Sequence, residues 1–180
     1  MIPRKTRAEL LRILDGLDIA YRLTEHSAVA TVDDLRKIGD LCPGLLCKNL
    51  FLKDARGEYW LVVVPHFREV DLHALPQTIG SRRLSFASPE RLMEVLGVVP
   101  GAVTPLALVN DRETRVHVIL DRAMLDGEAL LFHPLENTAT VAVSPADLLR
   151  FVMHCGHLPC VVDFGEAAEA AAALPPAVGA

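Results

Sequence analysis

No segment of the sequence is hydrophobic over enough residues to cross a membrane. The longest apolar run, Trp60 to Val64, ends at Pro65, whereas a membrane-spanning helix needs about 20 apolar residues. The N-terminus carries Arg4, Lys5 and Arg7, and no apolar stretch typical of a secretory signal follows them. We therefore expect a cytoplasmic protein with no membrane partner.

An excess of positive charge is also lacking. The 180 residues include 18 Lys+Arg and 23 Asp+Glu, which gives a formal net charge of -5. Because domains that grip nucleic acid over a broad surface usually carry a basic excess, this balance argues against an extended nucleic-acid interface. A small interface needs only a few well-placed cations, and the basic residues do cluster locally. The clusters are Arg4, Lys5, Arg7 and Arg12, then Lys48 and Lys53, then Arg82 and Arg83.

Common nucleotide-binding, hydrolase and metal motifs are missing. The chain has no P-loop, no G-x-G-x-x-G, no G-x-S-x-G elbow and no H-E-x-x-H. Its four cysteines fall in two pairs, Cys42 with Cys47 and Cys155 with Cys160, at a wider spacing than the C-x-x-C of most zinc knuckles. We expect reduced, mostly buried thiols, no cofactor and no metal. A metal site that adds His157 to Cys155 and Cys160 is the alternative.

What the sequence does contain is enough apolar residues for one domain. Hydrophobic residues make up 51% and charged residues 23%, an ordinary globular balance for this length. Helices are predicted where apolar residues recur at helical spacing, most of them behind a capping residue, and strands where short apolar runs lie between turn signals. Predicted helices begin after Thr6, Thr31, Ser88 and Ser144, with another over 71–77. Predicted strands cover 20–24, 48–53, 58–64, 106–109, 116–120, 130–132 and 138–143, with a short one around Leu84.

This order of elements predicts a single α/β (α+β) domain with a mixed sheet, because short helices interrupt the strands irregularly. The strand over 59–64 has no polar alternation, so we expect both of its faces to be covered. The domain is predicted to span 1–165. Residues 166–180 form an Ala-rich tail that Pro175 and Pro176 break, and we expect it to be flexible.

Two polar or glycine-rich segments interrupt otherwise apolar sequence, one at a lysine and one at a loop of glycines and prolines. Lys48–Asn49 opens an apolar strand, where a buried lysine is costly unless an anion or a polar ligand meets it. A lysine that snorkels at a strand end is the alternative. In Gly97–Pro105, two glycines and two prolines make a rigid loop whose backbone can approach a ligand closely, or an ordinary tight connection.

Two further interruptions contain histidines. His133–Asn137 follows an apolar strand, and its Asn137 can orient a ligand or hold the loop, although a lone histidine is often structural. His26 and Thr31 bracket small residues that could line a narrow pocket or simply pack. From the residues alone, the four segments indicate a small-ligand site with a lysine, a histidine and a glycine-proline loop.

In their order and spacing these segments resemble the YbaK/prolyl-tRNA synthetase associated domain family, which comprises an editing domain of bacterial prolyl-tRNA synthetases and its free-standing relatives. The resemblance runs from about His26 to Phe164 and is greatest to the stand-alone alanyl-tRNA(Pro) deacylases. It implies the fold of that family, with a mixed, mainly antiparallel central sheet flanked by short helices. The matching motifs are Lys48-Asn-Leu-Phe-Leu-Lys-Asp54, the segments Leu84–Leu92 and Leu96–Asp111, and His133-Pro-Leu-Glu-Asn-Thr-Ala-Thr140.

The resemblance also implies roles for individual residues. Lys48 would meet the terminal adenosine phosphate, Gly101 would begin the G-x-x-x-P loop whose backbone holds the aminoacyl group and the attacking water, and His133 would line the pocket. These three are the expected catalytic residues. Expected substrate-binding residues are His26, Thr31, Asn49, Ala102, Val103, Thr104, Pro105 and Asn137. The sequence departs from the family at Leu106-Ala107, where Phe-Gly is expected, and at Gly44–Cys47, which is unusually apolar; the first departure leaves the amino-acid specificity open.

The implied reaction is hydrolysis of the ester that joins alanine to the 3′ end of tRNA(Pro), by positioned water and without metal. A second, smaller pocket can reject proline, whereas a missing methylene discriminates only about 10–200-fold in a synthetase site. The expected partners are the acceptor end of alanyl-tRNA(Pro) and, transiently, prolyl-tRNA synthetase or an elongation factor. The alternatives are a deacylase of another misacylated tRNA, such as cysteinyl-tRNA(Pro), and a non-catalytic RNA-binding or partner-binding homologue.

Overall fold

The computed structural model describes residues 4–28, 38 and 41–165. The strands are β1 (Tyr21–Glu25), β2 (Leu45–Asp54), β3 (Tyr59–Pro65), β4 (Leu84–Phe86), β5 (Val116–Asp121), β6 (Leu130–Phe132), β7 (Ala139–Val143) and β8 (Cys160–Val162). The helices are α1 (Arg7–Gly16), α2 (Leu75–Ile79), α3 (Pro89–Leu96) and α4 (Pro145–His154), with 3-10 helices at Pro105–Asn110 and Arg122–Met124. The predicted helix after Thr31 and the tail lie outside the residues described.

Three helices begin at the caps that the sequence predicts. Thr6 and Glu9 form a reciprocal capping box at the start of α1, and the Ser88 and Ser144 hydroxyls accept backbone hydrogen bonds at the starts of α3 and α4. These caps satisfy amide groups that have no partner within the helix. No helix in the described ranges is long and apolar enough to span a membrane.

The eight strands form one mixed sheet in the order β1-β7-β6-β2-β3-β5-β8, with β4 also paired to β2. Four pairs are antiparallel, namely β1–β7, β6–β7, β2–β3 and β2–β4. Three are parallel, namely β2–β6, β3–β5 and β5–β8. The prediction of a mixed, mainly antiparallel sheet flanked by short helices is therefore confirmed.

Apolar side chains cover both faces of the sheet. The main core lies on one face and includes Leu10 and Leu14 of α1 together with Leu61 and Val63 of β3. Smaller clusters cover the other face, where Val62 of β3 packs among buried neighbours. Every residue of β3 after Tyr59 is buried, which confirms the prediction of a strand covered on both sides.

Two predictions along the chain need correction. The strand expected over 106–109 is instead part of the 3-10 helix Pro105–Asn110. Its Thr104 side chain accepts a hydrogen bond from the Leu106 amide, and Pro105 suits the first turn of a helix, so local capping prevails over the apolar run. The helix expected over 71–77 begins later, at Leu75, because residues 72–74 form a turn before it.

One buried ion pair ties three parts of the chain together. Arg68, just after β3, donates from Nε to Asp121 Oδ2 at 2.7 Å, and their side chains are 7% and 1% exposed. Arg68 Nη1 also donates to the Gly165 carbonyl at 2.8 Å, while Asp121 Oδ1 accepts from the Ala123 amide at 3.0 Å. The pair therefore joins the end of β3, the end of β5 and the segment after β8.

Candidate functional site

Lys48 lies where one edge of β2 has no neighbouring strand. On one side β2 pairs continuously with β3, from Cys47 to Lys53. On the other side it pairs with β6 only at Leu45 and Leu46, and with β4 only over 52–54. Between those pairings the backbone edge is open in the described part of the structure. Ligands commonly bind where strands of a sheet part, because backbone groups there are available.

Lys48 and His133 extend from the same face of the sheet at this opening. Side chains two residues apart on a strand point the same way. Leu46 on β2 pairs with Leu131 on β6, and both belong to the same small apolar cluster. Lys48 lies two positions further along β2, and His133 is the residue that follows β6, so the parallel pairing directs both segments toward the place where the strands separate.

One nitrogen of the His133 ring is hydrogen-bonded within the protein, which fixes the ring. Its Nδ1 lies 2.9 Å from the Ala139 carbonyl, which can only accept, so Nδ1 carries the proton and Nε2 is left as an acceptor. Burial lowers the pKa of His133; the bond to the Ala139 carbonyl opposes that change, and nearby His26 adds to it. The imidazole is therefore neutral at neutral pH, with a lone pair available to a ligand.

His26 forms a wall of the same region, with both ring nitrogens occupied. Its ring centroid lies 5.9 Å from that of His133. Nδ1 faces the Ser27 carbonyl at 2.8 Å, and Nε2 lies 2.9 Å from the Thr140 hydroxyl, which can donate to it. Thr140 was not predicted as a site residue, and its place within the fully buried strand β7 gives no sign of this contact. Thr31 lies outside the described residues.

The loop from Gly101 to Pro105 spans the distance from β2 to the His133–Asn137 loop. Asn49 Nδ2 donates to the Val103 carbonyl at 2.9 Å, which ties this loop to β2. At its other end, a Cβ placed on Gly101 would lie 3.9 Å from Asn137 Nδ2. Asn49 Oδ1 is buried and accepts no hydrogen bond within the described residues, so it is an acceptor that a ligand could use.

The structure joins several of the predicted site residues in pairs, namely His26 with His133, Asn49 with Val103, and Gly101 with Asn137. Ala102, Thr104 and Pro105 are buried, and Thr104 is committed to capping the 3-10 helix. Any contact that these three make with a ligand must be through the backbone. Gly101 is exposed and Val103 partly buried, so the rim of the loop remains accessible.

The alternative metal site is not formed. No group of three or more His, Cys, Asp or Glu side chains in the described ranges could hold a metal ion. All four cysteines are free, with Cys160 exposed, and burial raises the pKa of Cys155 to about 12. The His157 ring is buried and bonded through Nδ1 to the Val116 carbonyl at 3.1 Å.

A solved structure shares the architecture that surrounds this opening. It is described as a candidate trans-editing enzyme for prolyl tRNA synthetase, and it superposes with a TM-score of 0.67 at 20% sequence identity. The match covers 91% of this chain and 100% of that one. The fold is accordingly that of a trans-editing domain.

Sequence comparison assigns the family. Residues 26–151 match the aminoacyl-tRNA editing domain. The chain is 39% identical over 145 residues to the prolyl-tRNA editing protein ProX of Acetoanaerobium sticklandii, covering 80% of this chain and 88% of that one. It is 40% identical over 169 residues to prolyl-tRNA synthetase associated domain-containing protein 1 of Bos taurus, covering 91% and 98%. The chain belongs to the aminoacyl-tRNA editing domain family, which confirms the resemblance found in the sequence.

Replacing Gly101 with alanine tests whether the backbone of this loop matters to function. Gly101 has φ +87°, and an added Cβ meets nothing closer than Asn137 Nδ2 at 3.9 Å. The cost is therefore backbone strain, about 1–2 kcal/mol, and a shifted loop. We expect deacylation to fall about tenfold or more. Gly80→Ala is the matched control, since Gly80 has φ +76° and open space around it but caps α2. Equal activity of the two variants would contradict a role for the loop.

The lowered pKa of His133 predicts a dependence of stability on pH. The unfolded chain takes up a proton near pH 6.5, whereas the folded protein does so only at lower pH. The contribution of the neutral His133 ring to the free energy of unfolding should therefore be fully present above the unfolded pKa, and it should decline as the pH falls toward the folded pKa. Urea unfolding monitored by circular dichroism at several pH values measures this decline. We expect the decline to be smaller in His133→Gln than in the wild type. It should be unchanged in the control His73→Gln, whose histidine is exposed. Identical declines in all three proteins would contradict this assignment.

Proposed function

We propose that this protein hydrolyses the ester between alanine and the 3′ end of tRNA(Pro), acting on tRNA that a synthetase has already released. The observation that supports the proposal most directly is the opening at the edge of β2. Lys48 and Asn49 lie along it, Asn49 ties the loop from Gly101 to Pro105 to the same strand, and His133 follows the strand that pairs with the start of β2. The relatives named above as prolyl-tRNA editing and synthetase-associated proteins support the tRNA substrate.

The proposed roles follow from the chemistry of each group. The Lys48 ammonium would bind a phosphate of the terminal adenosine, as an anion offsets the cost of a partly buried lysine. The neutral His133 Nε2 and the buried Asn49 Oδ1 are acceptors that suit the amino group of alanine or a ribose hydroxyl. Backbone amides of the loop would polarise the ester carbonyl.

Hydrolysis in this site relies on positioning. Water attacks the ester carbonyl carbon, the bond to the ribose 3′ oxygen breaks, and that oxygen receives the proton that the water gives up, assisted by the neighbouring ribose hydroxyl. The ester is already labile, so a held substrate and a held water supply most of the acceleration. Among the predicted site residues that the structure describes, none is a candidate nucleophile paired with a base. Burial raises the pKa of Cys47, beside Lys48, to about 12, so that thiol stays protonated.

The proposal is tested with tRNA(Pro) charged separately with alanine, cysteine, serine and proline. We expect release of alanine, little release of proline, and the same rates with and without a metal chelator. Release of cysteine or serine in preference to alanine would support hydrolysis but contradict alanyl-tRNA(Pro) as the substrate. Binding of charged tRNA without turnover on any member of the panel would contradict hydrolysis and favour the non-catalytic homologue.

A further inference from the structure

Arg7, at the start of α1, links two segments that carry the candidate site. Its Nη2 donates to Glu25 Oε1 at 2.7 Å, and its Nη1 donates to Glu136 Oε1 at 2.8 Å. Glu25 ends β1 immediately before His26, and Glu136 comes immediately before Asn137. A single guanidinium therefore joins the end of β1, next to His26, to the loop that begins at His133.

The loop that Arg7 holds has a costly backbone conformation. Leu135 has φ +71°, a left-handed value that a side chain with a Cβ rarely adopts. Its amide donates to the His133 carbonyl at 3.0 Å, and its side chain packs against the main core. Such strain persists only where the surroundings impose it. The bonds from Arg7 and from the Thr138 hydroxyl to Glu136 are part of that support.

The residues just before α1 also contact the base of the glycine-proline loop. The Lys5 amide donates to Asn110 Oδ1 at 2.8 Å, and Asn110 Nδ2 donates to the Leu96 carbonyl at 3.0 Å. Arg4 packs so closely over Gly97 that a Cβ there would lie 2.7 Å from Arg4 Cδ. The start of the described chain thus braces the two loops that meet where Gly101 approaches Asn137.

We propose that Arg7 is a positioning residue for deacylation. It holds the His133–Asn137 loop against the end of β1 beside His26, and it offsets part of the charge of two carboxylates close to where an anionic RNA end would approach. The second effect follows because Glu25 and Glu136 converge on one cation, and without it they would repel each other and a phosphate. This inference rests on the proposed function.

The test compares Arg7→Met with variants that separate positioning from charge. We expect Arg7→Met to lower kcat/KM for alanyl-tRNA(Pro) about 5- to 20-fold, with kcat reduced and KM raised most at low salt. Adding Glu25→Gln and Glu136→Gln should restore KM but not kcat, because the two carboxylates that repel a phosphate are gone while the loop is still unheld. Arg7→Lys should recover only part of kcat, since an ammonium lacks the planar fork of a guanidinium.

Arg150→Met is the matched control. Arg150 also joins two parts of the chain, since its Nη1 donates to Asp147 Oδ1 at 2.8 Å and its Nη2 donates to the Leu17 carbonyl, although it is more exposed than Arg7. We expect it to leave kcat and KM unchanged. The unfolding midpoint should change little in either variant, because exposed ion pairs contribute little to global stability. If the activity of Arg7→Met fell only in proportion to the fraction of that variant that is folded, the proposal would be overturned.

An NMR readout keeps this inference separate from the proposed function. In Arg7→Met the His133 ring should titrate nearer its ordinary pKa of 6.5, because a loosened loop admits water. An unchanged His133 titration together with an unchanged kcat would overturn the role of Arg7. If the wild-type protein hydrolyses no charged tRNA, the proposed function fails, whereas a shifted His133 titration would still support Arg7 as the residue that holds the loop.

Discussion

Replacing Lys48 with alanine should abolish hydrolysis of alanyl-tRNA(Pro), with kcat/KM falling at least about 100-fold. Lys48 is partly buried at the open edge of β2, on the face shared with His133. A cation in that position meets an anion on an incoming RNA end, and alanine supplies neither charge nor hydrogen bonds. Single-turnover rates on alanyl-tRNA(Pro) measure the loss directly.

Lys53→Ala is the matched control for Lys48→Ala. Lys53 lies on the same strand with the same partial burial, but its side chain extends from the opposite face and pairs in register with Tyr59 near the hairpin end. We expect it to retain most of the activity. Lys48→Arg should keep part of it, since charge is preserved while geometry changes. A Lys48→Ala protein that works at the wild-type rate would contradict the proposed role of the lysine.

Replacing Asp121 with alanine should lower the free energy of unfolding by about 3–5 kcal/mol. The substitution would leave the Arg68 guanidinium buried without a counter-charge, and it would remove the acceptor for the Ala123 amide. Urea unfolding followed by fluorescence of Trp60, the single tryptophan and 7% exposed, measures the change.

Two controls separate the buried charge from a general loss of contacts. Glu94→Ala removes an exposed carboxylate that pairs with Arg91 and Arg115, and it should cost about 1 kcal/mol or less. The double variant Arg68→Met with Asp121→Leu removes both charges and should be much closer to wild type than Asp121→Ala alone. Equal losses in Asp121→Ala and Glu94→Ala would contradict the assignment of a buried pair.

Local signals predicted most of the elements correctly. Thr6, Ser88 and Ser144 cap helices because a hydroxyl next to a free amide acts over three residues and needs no distant partner. The hairpin of β2 and β3 has the same origin, since Asp54 accepts the turn amides of Arg56 and Glu58. The family resemblance could also be found from the sequence, because it depends on the order of the motifs along the chain.

Two kinds of feature escaped prediction: a local cap that outweighs an apolar run, and contacts between residues from separate parts of the chain. The apolar run 106–109 has strand-like composition, yet Thr104 and Pro105 start a 3-10 helix there, and that helix packs in the core. Pairing between Arg68 and Asp121, and the bonds from Arg7 to two glutamates, join residues from separate parts of the chain. No periodicity in the sequence indicates such contacts.

The sequence by itself determined most of the elements and the family. Only the tertiary structure decided how the candidate site residues meet. The parallel pairing of Leu46 with Leu131 sets β2 beside the strand that His133 follows, and the end of that pairing leaves the edge of β2 open at Lys48. Parallel register between segments far apart in the chain depends on the packing of the whole sheet, so local propensity cannot specify it.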